Sequence, residues 1–322
     1  MKHLASIASA FVVIAIVGIV GWRGFAALFT EPERAAHRKN GSAYAARDIQ
    51  AVGTLPAELA ESSGVAVSRT QPGVLWSHND SGDSPNLYAI DRSGRLLASI
   101  RVGNSVLIDW EDMSSGPCPR GIASSRCVYI ADTGNNSRAR TAFTVYVVAE
   151  PMLGSTGERA SAAAAQSFRF RYPDRPHDSE AIAVHPEGDV TIVTKGQTGT
   201  IDFFGVDAAA VERAIVSREV VAADLLGSSG ITPDGRIGRL ATGAAISPDG
   251  TMLAVRTYNE IFFYAAAQDE RGRRQWRDRQ RPCYLGDVEP QGEAIDYLDN
   301  ETLLLTSESR LFSRGRISRV QC

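Results

Sequence analysis

The sequence predicts an all-β fold, a β-propeller built from four-stranded antiparallel blades. Glycine accounts for 29 of the 322 residues, and turn sequences such as Pro-Asp-Gly and Pro-Glu-Gly recur in the second half of the chain. Many short strands separated by tight turns are therefore expected. A pattern of short apolar strands also repeats after Ile49. Because one four-stranded sheet cannot bury both of its faces alone, radial packing of the repeats is the natural arrangement.

Five repeats are visible, and the start of each first strand carries an equivalent position, occupied by Ser63, Glu111, Glu180, Thr242 and Glu293. The intervals between these positions are 48 to 69 residues, slightly longer than the ~40–50 residues of common propeller blades. The second strands are the apolar runs 74–77, 128–131, 190–193, 252–255 and 302–305. The third strands begin at Leu87, Val145, Ile201, Ile261 and Leu311. The segment 225–240 carries an extra turn sequence that would fit a sixth, degenerate blade.

The N-terminal segment has a different character. The run from Leu4 to Trp22 has no charged residue, and as a helix it would span about 28 Å, close to the thickness of a bilayer core. We expect residues 1–29 to form a membrane anchor or uncleaved signal, 30–48 a polar tether and 49–322 the propeller. Cleavage near Gly24-Phe25-Ala26 is the alternative. Charge does not set the orientation, since more basic residues follow the run than precede it.

The four cysteines, Cys118, Cys127, Cys283 and Cys322, show neither CxxC nor Cys/His metal-site spacing. Structural disulfides are the simplest explanation, and of the three possible pairings we predict Cys118 with Cys127 and Cys283 with Cys322. Disulfides form outside the cytoplasm. The sequence therefore predicts a single-pass protein of the cell membrane with an extracytoplasmic propeller. The alternative is a cytoplasmic protein with four reduced thiols.

Composition excludes several classes of protein. A net charge of −3, 43% hydrophobic residues and 22% charged residues disfavour disorder, a polytopic membrane protein and a strongly basic nucleic-acid binder. The arginine-rich run 271–281 has the acidic neighbours Asp269, Glu270 and Asp278. We expect it to be a solvent-exposed segment between two strands, so no nucleic-acid partner is predicted.

One face of the propeller is predicted to carry function. In an antiparallel blade, the start of the first strand and the end of the second strand share a face. That face collects the ligand-binding candidates Asp80, Asp132, Lys195, Arg256 and Glu308, whereas the opposite face collects plain turns.

Three of the aligned positions on this face, Glu111, Glu180 and Glu293, are predicted to converge around the central channel and form a metal site. Close carboxylates repel one another, and Ca²⁺ suits a site of oxygen donors without a His or Cys cluster. Two alternatives remain open. Lys195 and Arg256 could neutralise the carboxylates instead, or the glutamates could cap backbone N–H groups.

The segment Cys127 to Asn136 (CVYIADTGNN) resembles the core of an NHL-type propeller repeat. The successive ESSG, SHNDSGD, DWED, DSEA and QGEA elements look like a family of exported bacterial β-propellers, which is similar, more distantly, to β-propeller phytases and gluconolactonase-like enzymes. The resemblance implies a propeller over residues 52–322, and six blades are usual among these relatives.

Two functions are then expected. The first is binding of a small ligand, glycan or protein partner at an acidic channel mouth, without turnover. The alternative is a Ca²⁺-dependent hydrolase of a phosphoester or lactone, in which Glu111, Glu180 and Glu293 hold the cation and Lys195 or Arg256 stabilises negative charge. No GxSxG, SxxK or Walker pattern occurs, so nucleophilic serine and nucleotide chemistry lack support.

Overall fold

The computed structural model describes residues 48–80, 82–154, 163–197, 199–231, 239–278, 282–286, 289, 291–310 and 313–322. The predicted membrane anchor and nearly all of the predicted tether lie outside these residues. Among the residues described, no helix is long and apolar enough to cross a membrane. The propeller belongs to a compact unit that spans Ala46–Cys322.

Five antiparallel sheets form the blades, with the strands numbered along the chain. From the inside outwards, the first blade contains β2 (Ser62–Val67), β3 (Val74–Asn79), β4 (Asn86–Asp91) and β5 (Leu96–Gly103), and the second contains β6 (Trp110–Pro117), β7 (Arg126–Asp132), β8 (Phe143–Ala149) and β10 (Gln166–Arg171). The third contains β11 (Ser179–Val184), β12 (Val190–Thr194), β13 (Asp202–Val206) and β15 (Asp224–Ser228). The fourth contains β16 (Ala241–Ile246), β17 (Met252–Thr257), β18 (Glu260–Gln268) and β19 (Arg274–Asp278), and the fifth contains β21 (Gly292–Tyr297), β22 (Thr302–Ser307), β23 (Arg316–Gln321) and β1 (Asp48–Thr54).

The two ends of the propeller chain meet in the fifth blade. Strand β1 pairs antiparallel with β23, with Ile49 opposite Val320 and Thr54 opposite Arg316. The first strand of the domain is thus the outermost strand of the last blade. The innermost strands β2, β6, β11, β16 and β21 each contact the next around the ring, and β21 contacts β2. This confirms the predicted propeller and sets its number of blades at five.

Two linkers reach back onto the preceding blade. Strand β9 (Ala163–Ala164) runs parallel to β5, and β14 (Val220–Ala222) runs parallel to β10. Between β13 and β14 lies helix α1 (Ala208–Ser217), whose first turn is capped by Asp207, since its carboxylate accepts a hydrogen bond from the Ala210 N–H at 2.7 Å. These additions cover outer edges that a four-strand blade would leave unpaired.

Apolar side chains between the blades form the core. Between the first and second blades, Trp76 and Trp110 are fully buried. A buried carboxylate ties the same junction together, because Glu150 accepts hydrogen bonds from Trp76 Nε1 at 3.1 Å, from Thr70 Oγ1 at 2.8 Å and from the Ser68 hydroxyl. Most of the burial therefore lies between neighbouring sheets, as the repeat pattern requires.

Both predicted disulfides are present, which confirms the pairing. Cys118–Cys127 closes the hairpin of β6 and β7. Cys283–Cys322 joins β20 (Cys283–Tyr284), which pairs with β18, to the residue that follows β23. The second disulfide therefore links the fourth and fifth blades.

Two details of the predicted repeats are wrong. The third strand of the last repeat begins at Arg316 and not at Leu311, and Arg310 and Ser313 form an isolated antiparallel bridge before it. Residues 311–312 lie outside the description. The segment 225–240 starts no sixth blade, since Asp224–Ser228 forms β15, the outer strand of the third blade; residues 232–238 lie outside the described part.

Candidate functional site

The five aligned positions share an irregular backbone. In every blade, the pairing between the first and second strands shifts register at that position, which is occupied by Ser63, Glu111, Glu180, Thr242 and Glu293. Such a bulge bends the strand and re-aims its side chain. The repeat alignment predicted from the sequence is thus correct at the level of the backbone. We call this end of the central channel the channel mouth.

A second set of equivalent positions faces the channel mouth, one residue beyond the end of each second strand. These positions hold Asp80, Thr133, Lys195, Tyr258 and Glu308. Three of them were predicted site residues, and Tyr258 was missed because a single tyrosine after an apolar strand gives no distinctive sequence signal.

Two groups of three carboxylates lie at the channel mouth. One oxygen each from Glu111, Asp178 and Glu180 lies within 4.8 Å of the others, and the same holds for Asp80, Asp109 and Glu111. Neither Asp109 nor Asp178 was among the residues predicted to hold the metal ion. The available signal was the D-x-E spacing shared by DWED and DSEA, which brings an aspartate beside each bulged glutamate.

A lysine neutralises part of this charge. Lys195 Nζ lies 2.5 Å from Glu180 Oε1, and both side chains are largely buried. Burial alone would lower the pKa of Lys195, but the carboxylate of Glu180 outweighs it, and the pKa is raised. Lys195 therefore stays protonated at neutral pH, as expected for a buried ion pair.

The carboxyl groups themselves are held partly in their neutral forms. Burial, and then the charges of Asp80 and Asp178, raise the pKa of Asp109 to about 6. Burial, reinforced by Asp178, raises the pKa of Glu180 to about 7 even beside Lys195. Burial and Glu180 together raise the pKa of Glu111 well above its ordinary value. A cation at this place would release these protons.

The ADTGNN loop after β7 shapes the site. The Asn135 backbone N–H donates to Asp178 Oδ1 at 2.6 Å, whereas Asp178 Oδ2 is buried without a hydrogen-bond partner. Gly134 lies against the carboxylates, and a Cβ there would overlap Glu111 Oε1 and Asp109 Oδ2. The loop therefore aims Asp178 and leaves room beside Glu111.

Asp132, a predicted ligand-binding residue, lies behind this cluster. Its carboxylate pairs with Arg140 at 2.7 Å and accepts a hydrogen bond from the Asp109 N–H at 3.2 Å. Its side chain is only 1% exposed. Asp132 thus positions Asp109 and does not open onto the channel mouth.

Glu293 and Glu308 occupy the other side of the channel mouth and belong to neither carboxylate group. Gln291 Nε2 donates to Glu293 Oε1 at 2.7 Å. Burial and then the charge of Asp80 raise the pKa of Glu308 to about 7. Burial and then Glu293 raise the pKa of Tyr258, so its phenol stays protonated. Glu293 is thus in neither of the two close carboxylate groups, although the charge of Glu180 still acts on it and helps to raise its pKa.

Arg256 is directed away from the carboxylate groups. Its fully buried guanidinium donates to the carbonyl oxygens of Ala294 at 2.7 Å and Thr306 at 3.0 Å and pairs with Glu289. Gly292 is needed beside it, since a Cβ there would overlap the guanidinium. Arg256 thus joins the fourth and fifth blades.

The rim next to Asp109 is apolar and open. Val106 and Ile108, in the loop that leads into β6, are 61% and 57% exposed. Two large aliphatic side chains are thus exposed beside the carboxylate cluster.

No protein-family model matches the chain, and no curated protein matches it, so the resemblance to NHL repeats stays a prediction. Several solved structures are similar. The aldose sugar dehydrogenase from Streptomyces coelicolor in its PQQ-bound form is 10% identical, with 85% of this chain and 98% of that chain covered and a TM-score of 0.49. A luciferin-regenerating enzyme is 10% identical, with 85% and 95% covered and a TM-score of 0.46. The calcium-binding protein regucalcin from Agrobacterium tumefaciens is 12% identical, with 86% and 93% covered and a TM-score of 0.43. Neither a cofactor nor an activity follows for this chain.

Proposed function

We propose that the protein binds a divalent cation at the channel mouth through Glu111, Asp178 and Glu180, and that the loaded mouth binds a small ligand, glycan or protein partner. The observation that carries the proposal is the convergence of these three carboxylates within 4.8 Å, with one oxygen of Asp178 buried and unpartnered. Oxygen ligands without nitrogen or sulfur favour Ca²⁺.

The surrounding groups support a cation site because they orient the carboxylates. Asn135 holds one oxygen of Asp178 and leaves the other available. Lys195 holds one oxygen of Glu180. Outer groups that fix the direction of a ligating carboxylate are typical of metal sites. The exposed Val106 and Ile108 would supply apolar contact to the bound partner.

Calcium-dependent thermal stabilisation tests the proposal. A ligand that binds only the folded state raises its melting temperature. We expect Ca²⁺ to raise the Tm of the full chain, and Asp178→Asn to remove most of that rise because it deletes one ligand charge. Asp174→Asn is the matched control, since Asp174 lies on the same loop but contacts His177. An unchanged Tm of the wild-type protein in Ca²⁺ would contradict the proposal.

We also propose that residues 4–22 anchor the propeller in the cell membrane and that the propeller is extracytoplasmic. The two disulfides support this location, because such bonds persist in oxidising compartments. Protease added to cells with a permeable outer envelope should then cleave the propeller. Its complete protection would contradict this location.

A second candidate is a Ca²⁺-dependent hydrolase of a phosphoester or lactone. Lys195 favours it, because a protonated amine beside the carboxylates can stabilise negative charge that develops on a substrate. A bound cation would supply Lewis acidity there. Hydrolysis of p-nitrophenyl phosphate or of a simple lactone that needs Ca²⁺ and is lost in Lys195→Met would favour this function, and no turnover with either would favour binding alone.

A further inference from the structure

We propose that a cavity at the outer edge of the first two blades binds a phosphate monoester, with the phosphate group between Arg169 and Arg218 and the organic part against Ile215. We call this cavity the outer cavity. The described residues that line it belong to neither carboxylate group of the channel mouth, so the inference goes beyond the proposed function.

The size of the outer cavity suits a small organic ligand. Its volume is about 840 Å³, within the range of about 300–1,000 Å³ that is typical of ligand pockets. Its walls come from the residue after β5 in the first blade, from the start of β10 in the second blade and from the last turn of helix α1. The outer cavity is therefore a recess between separate elements and not a gap inside one blade.

The polar lining of the outer cavity is positively charged. Among the described lining residues, Arg169 and Arg218 each carry a positive charge and none is acidic. Asn104, Gln166 and Ser167 add amide and hydroxyl groups. Within the described part of the chain, none of these five side chains forms a hydrogen bond or an ion pair with another protein group. Their donors are thus available to a ligand, and two guanidinium groups match the charge of a phosphate dianion.

A second cavity shows the contrast. It lies between the third and fourth blades, has a volume of about 250 Å³ and is also lined by two arginines, Arg273 and Arg274. There, however, Arg273 pairs with Asp224 at 3.6 Å and Arg274 pairs with Asp189 at 3.4 Å. These arginines are neutralised within the protein, whereas the structure describes no acidic partner for the arginines of the outer cavity.

The backbone brings the two arginines of the outer cavity to one place. Strand β14 runs parallel to β10 with Val220 opposite Arg169, and Arg218 precedes Val220 by two residues. On the other side of the cavity, the Ala165 N–H donates to the Gly103 carbonyl oxygen at 2.9 Å, which joins the end of β5 to the start of β10. Both walls of the cavity are thus held by backbone pairing.

Arg218 has an unusual backbone conformation. It is the C-cap of helix α1, and its φ of 59° lies in the left-handed region. Glycine is the usual residue at such a helix end, because a Cβ is disfavoured in this conformation. The helix end itself does not call for arginine, and a ligand held by the guanidinium supplies a reason for it.

The apolar part of the lining favours an ester over free phosphate. Ala165, Ala214 and Ile215 line the outer cavity together with the arginines. Apolar side chains add affinity only for a ligand that has an apolar part of its own. The ligand is therefore a phosphate monoester with an apolar body, a chemistry that a soluble ester and a lipid headgroup share.

Calorimetric titration of the full chain with 1-naphthyl phosphate tests the proposal. EDTA keeps divalent cations away from the channel mouth. We expect saturable binding that is about tenfold tighter than that of inorganic phosphate, since only the ester contacts the apolar lining. Arg169→Gln should weaken this binding about tenfold or more, because a charged hydrogen-bond donor is lost. Arg213→Gln is the matched control, since it removes an exposed arginine of helix α1 that is not among the described lining residues.

Arg218→Gly separates ligand binding from a structural role. Glycine suits the left-handed backbone, so the Tm should stay unchanged or rise while the affinity for 1-naphthyl phosphate falls about tenfold. If Arg218 serves only the helix end, where its charge faces the last carbonyl groups, the Tm should fall and the affinity should stay the same. That result would overturn the proposal.

The other outcomes are equally decisive. No saturable binding to the wild-type protein, equal binding of 1-naphthol, or an equal loss of affinity in Arg213→Gln would overturn the proposal. Dihexanoyl phosphatidic acid, a water-soluble lipid, identifies the source of the phosphate group: binding tighter than that of 1-naphthyl phosphate supports a lipid headgroup, and weaker binding supports a soluble ester. Because these titrations contain no divalent cation, their results do not depend on the cation site of the proposed function.

Discussion

Glu111 and Glu180 lie in contact at the channel mouth, although both are acidic and buried. Burial and then the charge of Asp178 raise the pKa of Glu180 to about 7, and burial with the charges of Asp80 and Asp178 raises that of Asp109 to about 6. Protons therefore relieve part of the repulsion in the cation-free protein. Protons and cations therefore compete for the same oxygens. Because these pKa values are about 6 and 7, the competition between protons and cations depends on pH close to neutrality.

The stabilisation by Ca²⁺ should consequently grow as pH rises. Groups with raised pKa values keep their protons in the folded state, so folding without a cation loses stability as pH rises through about 4 to 7. Bound Ca²⁺ removes this loss.

His78 and His185 make the stability of the folded state rise with pH, since burial lowers both of their pKa values. This effect cancels when Tm is compared with and without Ca²⁺ at one pH. We expect a larger Ca²⁺-dependent rise in Tm at pH 8 than at pH 5.5. Equal rises at the two pH values would contradict this competition.

The β-bulge at the start of each innermost strand is the element that builds the site. It recurs in all five blades, whether the residue there is serine, threonine or glutamate. The backbone feature is thus structural, and the side chain placed on it decides the chemistry. Blades two and three add an aspartate two residues earlier, Asp109 and Asp178, and the carboxylate groups lie at these blades.

The two disulfides should differ in their contribution to stability. Cys283–Cys322 closes a separation of 39 residues and Cys118–Cys127 closes one of 9. In the chain-entropy model, a loop of the first size stabilises by about 4 kcal/mol and one of the second by about 3 kcal/mol. Urea unfolding of the paired Cys→Ser variants should therefore show the larger loss for the pair that joins the fourth and fifth blades.

The control is wild-type protein unfolded in a reductant, which should lose at least as much stability as either variant. An equal loss for the two variants, or the reverse order, would show that Cys283–Cys322 does not restrain the closure of the ring. The Cys118–Cys127 disulfide lies within one hairpin of the second blade, so its loss does not test the closure of the ring.

At the scale of the whole molecule, the sequence predicted the repeat, the number of visible blades and both disulfides. These depend on local patterns such as apolar strands, turns and spacing. The pairing of β1 with β23, which completes the fifth blade and closes the ring, could not be predicted. It joins residues at opposite ends of the propeller sequence, such as Ile49 and Val320, and has no local signal in the sequence.

The site was only partly predictable for a similar reason. The aligned glutamates predicted which end of the channel is acidic. The alignment could not predict which side chains of neighbouring blades come into contact there. Glu293 belongs to neither of the two close carboxylate groups, and Arg256 pairs with Glu289 between blades. Side-chain direction at a bulge depends on packing across blades, which a single sequence does not encode locally.

The central claim is that a cation binds among Glu111, Asp178 and Glu180. The most direct measurement is an anomalous difference map from crystals of the protein grown with Mn²⁺. We predict a peak in contact with a carboxylate oxygen of each of these three residues. Ordered side chains at this place with no peak, in crystals that hold Mn²⁺ elsewhere, would contradict the account.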